Sequence, residues 1–250
     1  MNTIKIEKKH AQMIAHRGLS GLEPENSIPA FIAAGNRSYY GVETDVHVTK
    51  DGKFVVIHDD DTERVAGYYR VIEETLYDDL KDIRLNDLCR LEILSGTEKV
   101  DLKDRRELVI PDLKDYINIC KKYEKVCILE LKNQFAPDDI IRLVKEIKDL
   151  EYLEQVTFIS FQLPNLIELR KLMPEQPLQY LVEEFDNEVF ENLVKYQLEL
   201  DIRHTELTEE IITMVHNAGR IVNCWTCDSK ETAERLVSWG VDFITSNYLE

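Results

Sequence analysis

Residues 41–60 read GVETDVHVTKDGKFVVIHDD, two alternating runs joined by Lys50-Asp51-Gly52. In the first run Glu43, Asp45 and His47 occupy every second position, so their side chains leave one face of a strand. Carboxylates cannot face a packed layer of helices without a large desolvation cost. That face is therefore expected to look toward the axis of a closed barrel, near its wet rim. Gly52 supplies the left-handed residue that a tight hairpin needs, and the return run ends in His58 and Asp59.

Outward from this stretch the chain alternates. Strand-like runs occur at QMIAH (12–16), VCILEL (126–131), VTFISF (156–161), PLQYLV (177–182), LELDIR (198–203), RIVNCWT (220–226) and VDFITS (241–246), which with GVETDVHV make eight. Helical patterns lie between most of them. IPAFIAAGNRS follows the N-cap types Asn26 and Ser27 and carries Pro29 in its first turn. APDDIIRLVKEIKDL repeats an apolar face at Ile140, Ile141, Val144 and Ile147, and PNLIELRKLM, DNEVFENLVKYQ, TEEIITMVHNAG and SKETAERLVSWG have the same form. Strands alternating with helices predict an α/β fold, a (β/α)8 TIM barrel; an open doubly wound sheet is the other arrangement that the pattern allows. The rhythm breaks over residues 59–110, a length that predicts a small inserted subdomain after the second strand of a single barrel domain, not a bare loop.

The chain has 250 residues, 44% hydrophobic and 32% charged, with a formal charge of −17. That balance argues against a nucleic-acid partner and against docking on an anionic membrane. No run approaches membrane-spanning length, and the N-terminus lacks the apolar core of a signal peptide, which points to a cytoplasmic protein. Five cysteines, an odd number, do not form a disulfide framework, and Cys224-Trp-Thr-Cys227 lacks the second pair of a zinc site. Oligomeric state leaves no mark in the sequence.

The polar residues at the strand ends form one pattern. His16 and Arg17 close the first strand, Glu43 and Asp45 lie on the second, His58 ends the hairpin, and Glu130 and Lys132 repeat the alternation on the next barrel strand. Three acids converging from adjacent strands repel one another and call for one divalent cation, Mg2+ or Ca2+, since oxygen donors select hard ions. Two histidines beside it suit general acid and base roles, while Arg17 and Lys132 complete an anion-binding rim. Together these groups describe phosphoryl chemistry. Taken singly, each has a plainer reading: His16 a core histidine, Glu130 and Lys132 a structural ion pair, Asp59 a turn cap, His47 a structural residue. His10, His204 and His216 have no such company and read as surface or packing residues.

The ordered set AHRG (15–18), PENS (24–27), ETDVHVTKDGKFVVIHDDDTERVAG (43–67), IPDLKDYI (110–117), LELK (129–132), ISF (159–161), NCWTCD (223–228) and TSN (245–247) resembles the glycerophosphodiester phosphodiesterase family over nearly the whole chain. The resemblance implies a TIM barrel with an insertion, and metal-dependent hydrolysis of a small-molecule glycerophosphodiester to glycerol 3-phosphate and an alcohol. It implies His16 and His58 as the catalytic acid/base pair, and Glu43, Asp45 and Glu130 as metal ligands. Arg17 and Lys132 become phosphate contacts, and Trp225 an aromatic wall beside the glycerol. Ser27, Asn247 and Thr62 depart from the pattern, at positions where threonine, aspartate and leucine are usual. The alternatives are a lysophospholipase D-type phosphodiesterase, whose acyl channel the insertion would line, and a non-catalytic phosphodiester-binding barrel.

Overall fold

The computed structural model describes residues 2–85 and 105–250. Its strands are β1 (Gln12–Ala15), β2 (Gly41–Val48), β3 (Phe54–Val56), β4 (Val126–Leu131), β5 (Val156–Ser160), β6 (Leu178–Val182), β7 (Glu199–Arg203), β8 (Val222–Trp225) and β9 (Phe243–Ser246). All but β3 run parallel, in the order β1-β9-β8-β7-β6-β5-β4-β2, and β1 meets β2 again to close the ring. The seam is short: only Ile14 with Gly41 and Ala15 with Val42 are in register there. All eight runs read from the sequence are barrel strands, so the closed form and not the open sheet is correct. The first ends at Ala15, which puts His16 and Arg17 just past its hydrogen-bonded part.

Helices cover the outside of the ring, and their ends follow the sequence. Ser27 accepts from the Ala30 amide at 3.3 Å to begin the helix Ile28–Gly35, with Pro29 in its first turn. Asp186, Thr208 and Ser229 cap the helices Asn187–Tyr196, Glu209–Asn217 and Lys230–Trp239 in the same manner. A helix at Leu113–Lys122, capped by Asp112, packs between the hairpin and β4. The residues facing it inward, Leu113, Tyr116, Ile117 and Cys120, recur at helical spacing. The main core lies between the strands and these helices, and a smaller one of Ile14, Ile128, Ile159 and Leu181 fills the barrel itself. Polar side chains share the interior with it: Asn223 donates to Gln179 at 3.1 Å, and the charged groups gather at the C-terminal mouth.

β3 pairs antiparallel with β2, Val46 opposite Val56 and Val48 opposite Phe54, and Gly52 turns the hairpin at φ 76°. The described part of residues 59–110 holds two single-turn helices, Glu63–Ala66 and Tyr77–Leu80. It packs its own apolar cluster around Val55, Ile57, Ile72 and Leu80. The rest of the predicted insertion, residues 86–104, and Cys89 within it lie outside the described residues. Cys120, Cys127, Cys224 and Cys227 are buried free thiols. Among the described residues no helix is long and apolar enough to cross a membrane.

Candidate active site

Three chain segments join Glu130 and Lys132 of the β4 end on the charged side of the barrel mouth. The first follows β1. Arg17 takes a left-handed φ of 53° and Gly18 one of 73°, so the chain turns sharply and the Arg17 amide donates to Glu43 Oε2 at 2.7 Å. A Cβ on Gly18 would stand 2.7 Å from Ala30, so no larger residue fits that turn. The second segment is β2 itself, which delivers Glu43 and Asp45. The third is the hairpin, whose return carries His58 to the rim beyond the end of β3.

Glu43, Asp45 and Glu130 each present a carboxylate oxygen, all within 4.8 Å of one another, and all three side chains are buried. Three acids this close cannot all be charged without cations. Burial, then Asp45 and Glu130, raises Glu43 well above the usual carboxylate range. Burial and Asp45 push Glu130 up to about 8, with Lys132 opposing. Asp45 goes the other way: burial resists its charge, but Lys132, Arg17 and His58 outweigh it and hold the carboxyl well below the usual range. Lys132 Nζ sits 2.8 Å from Glu130 and 3.4 Å from Asp45, and Arg17 Nε 3.6 Å from Asp45. The donor set is all oxygen, and Asp45 Oδ1 is buried with no hydrogen-bond partner among the described residues. Both facts fit a hard divalent cation, and a fourth group fixes the geometry. Asn26, at φ 50°, donates to Asp45 Oδ2 at 2.8 Å while accepting from Thr44 Oγ1 at 2.7 Å.

His16 and His58 both stand at this mouth, each with Nδ1 engaged. His16 Nδ1 lies 2.8 Å from Asn247 Oδ1, which also accepts from Ser20, and Asp228 accepts from the Asn247 backbone and side-chain amides. His58 Nδ1 lies 2.7 Å from Asp59 Oδ1. Each ring is thus oriented through its Nδ1. Asp59 is thus tied to the histidine rather than capping a turn. His47 is fully buried, facing Glu73 at 3.5 Å and the His58 carbonyl at 3.4 Å, in keeping with a structural residue. His204 and His216 contact the Trp225 carbonyl and Asp242 instead.

A cavity of about 110 Å3 joins these groups. His16, Arg17, Glu43, His58, Glu130 and Lys132 form its charged side. Opposite lie Ile159, Leu181, Phe161 and Trp225, the last two edge to face at 5.6 Å, with Asp201 and Thr245 between them. Asp45 lies beneath, wholly buried. All eight residues singled out in the sequence therefore meet at one place. Those the sequence reading missed are the supporting ones: Glu25, Asn26, Arg64, Asp201 and Asp228.

A barrel whose mouth gathers three carboxylates, two histidines and two fixed cations defines a phosphate-ester enzyme of the TIM-barrel type. Residues 16–250 match the model of the glycerophosphoryl diester phosphodiesterase family. The chain belongs to that family and is an enzyme of the phosphodiesterase class. A glycerophosphodiester phosphodiesterase of Caldanaerobacter subterraneus is 27% identical over 238 residues, spanning 94% of this chain and 93% of that one. An Oleispira antarctica phosphodiesterase, solved in complex with the product sn-glycerol-3-phosphate, superposes with a TM-score of 0.83 at 26% identity, covering 98% and 96% of the two chains. A Parabacteroides distasonis glycerophosphodiester phosphodiesterase gives 0.76 at 27%, covering 99% and 94%.

Proposed function

We propose that this enzyme hydrolyses glycerophosphodiesters to glycerol 3-phosphate and an alcohol, using His16 and His58 as its proton carriers. The observation that carries the reading is the pair of histidines, each oriented through Nδ1, on the wall of one cavity with Arg17, Lys132 and a three-carboxylate cluster. Glu43, Asp45 and Glu130 would hold one Mg2+ or Ca2+, which when bound neutralises charge on the phosphoryl oxygens. Arg17 and Lys132 bind the remaining phosphate charge, against an overall field that is strongly negative. One imidazole takes the proton of the attacking hydroxyl, and the other gives a proton to the departing alkoxide. The Asp59 carboxylate and the Asn247 amide oxygen hold the two rings in register for these transfers. Trp225 and Phe161 supply the apolar wall against which a glycerol backbone rests. A cavity of about 110 Å3 favours a compact polar diester over a lysolipid, and the absence of any spanning helix among the described residues accords with a cytoplasmic setting.

The test is release of glycerol 3-phosphate from glycerophosphocholine, with and without chelator, in the wild type, His16→Ala and His58→Ala. Metal-dependent turnover, reduced by about 10²-fold or more in both variants, is expected. Folded, metal-loaded protein that binds the diester without turning it over would support the non-catalytic barrel instead, and turnover of lysophosphatidylcholine alone would support the lysophospholipase D reading.

A further inference from the structure

Arg64 lies on the single-turn helix that begins the segment after the hairpin, outside the barrel. Among the described residues its guanidinium makes four hydrogen bonds to two carboxylates. Nε and Nη2 donate to Asp59 Oδ2 and Oδ1 at 2.6 and 2.9 Å. Nη1 and Nη2 donate to Glu25 Oε2 and Oε1 at 3.1 and 2.8 Å. Each carboxylate also holds a residue of the mouth, through the same oxygen that Arg64 Nη2 uses: Asp59 Oδ1 faces His58 Nδ1, and Glu25 Oε1 accepts from Arg17 Nη1 at 2.8 Å. One planar fork thus joins the support of a histidine to the support of an arginine, a geometry that a flexible ammonium cannot reproduce.

We propose that Arg64 is a positioning residue that sets His58 and Arg17 together, and so makes the packing of the inserted segment a condition for catalysis. Two further observations agree with it. Asp59 is half-exposed yet its carboxyl stays well below the usual range: partial burial opposes its charge, but His58 and Arg64 prevail. Arg64 itself keeps 41% of its side chain exposed, so it is not a core element whose loss would collapse the fold. Glu25, by contrast, is 4% exposed, a buried acid between two guanidinium groups. Without Arg64, Asp59 is free to swing off the imidazole, and Glu25 loses one of the two guanidinium groups that fix it beside Arg17.

The inference rests on His58 being a proton carrier, and the experiment separates the two. Arg64→Ala, Arg64→Lys, Asp59→Asn and the double variant Arg64→Ala/Asp59→Asn are assayed for glycerophosphocholine turnover, and the downfield His58 Nδ1 proton resonance is followed by NMR. Arg64→Ala is expected to lower kcat by about 10- to 100-fold, to shift or broaden the resonance, and to leave the melting temperature little changed. Arg64→Lys is expected to recover only part of kcat. In the Asp59→Asn background, loss of Arg64 is expected to cost less than it does in the wild type, because the His58 arm is already broken and only the Glu25–Arg17 arm is left to lose. Wild-type kcat in Arg64→Ala, or losses that multiply in the double variant, would overturn the proposal. A wild type that turns over no glycerophosphodiester would overturn the function instead, and the resonance would still report whether Arg64 holds the His58–Asp59 pair.

Discussion

The three-carboxylate cluster makes proton release upon cation binding a quantitative expectation. The perturbation is a pH change from 8 to 6 in the metal-free protein. Glu130 is pushed up to about 8 by its burial and by Asp45, so at pH 6 it is almost fully protonated, and a hard cation must displace that proton to use the oxygen. For a single group the apparent dissociation constant is multiplied by 1 + 10^(pKa − pH), so it weakens roughly 50-fold between pH 8 and pH 6. Glu43, raised by the same burial and the same neighbours, makes the dependence steeper. Asp45, held ionised beside Lys132 and Arg17, adds nothing in this range. The assay is calorimetric titration with Mg2+ and with Ca2+ at several pH values, in buffers of different ionisation enthalpy, which counts the protons released. Between one and two protons are expected near pH 6.5. An affinity that is flat from pH 6 to 8, with no buffer-dependent heat, would show that the cluster is not the cation site or that its acids are already ionised.

Asp201 is buried within the barrel, and burial, then Glu130, raises its carboxyl well above the usual range, so the folded protein keeps a proton that the unfolded chain loses above about pH 4. Asp201's own contribution to stability therefore falls as pH rises above about 4, and Asp201→Asn should gain on the wild type by up to about 1.4 kcal/mol per pH unit from there; a pH-independent difference in urea unfolding, measured with chelator, would refute this. Asn247→Ala removes the acceptor at His16 Nδ1 and is expected to lower kcat about 10-fold or more while KM moves less. Equal kcat in steady-state assays would remove Asn247 from the site's support. Ser27→Ala deletes the cap on Ile28–Gly35 and should cost about 1 kcal/mol in thermal or urea unfolding.

The barrel was legible because its strands are buried on both faces and read as apolar runs, and because the alternating acids of β2 and β4 could belong to only one side of them. The helix Leu113–Lys122 shows the limit of reading by rhythm. Its apolar spacing is regular, but it follows the irregular stretch of 59–110, where the alternation of strands and helices gives no frame in which to place it. The eight site residues lie on or next to strands, where period two gives them a direction. Arg64, Glu25, Asn26 and Asp228 sit in loops and a single turn, where no period exists. Their roles come from contacts between segments 39 and 19 residues apart, such as Arg64 with Glu25 and Asp228 with Asn247. Asn247, a departure from the family pattern, proves to be the direct partner of His16.

The short seam between β1 and β2 has a consequence for motion. Above Val42, β2 no longer bonds to β1; its carbonyls at Glu43 and Asp45 accept instead from Gly18 and Ile57 at 3.1 and 3.2 Å. β3 can therefore part from β2 by breaking its antiparallel bonds, together with the Val56 amide's bond to the Pro111 carbonyl and the bridge of Val55 with Asp112, without parting any of the parallel ladder that closes the ring. Such an opening removes His58 from the mouth while Glu43, Asp45 and Glu130 stay in place. In hydrogen exchange, the Ile57 amide should therefore open at a free energy below that of the β4 and β5 amides. If His58 acts as proposed, two thresholds for losing activity are expected, detachment of that histidine and unfolding of the barrel, the first reached before the second.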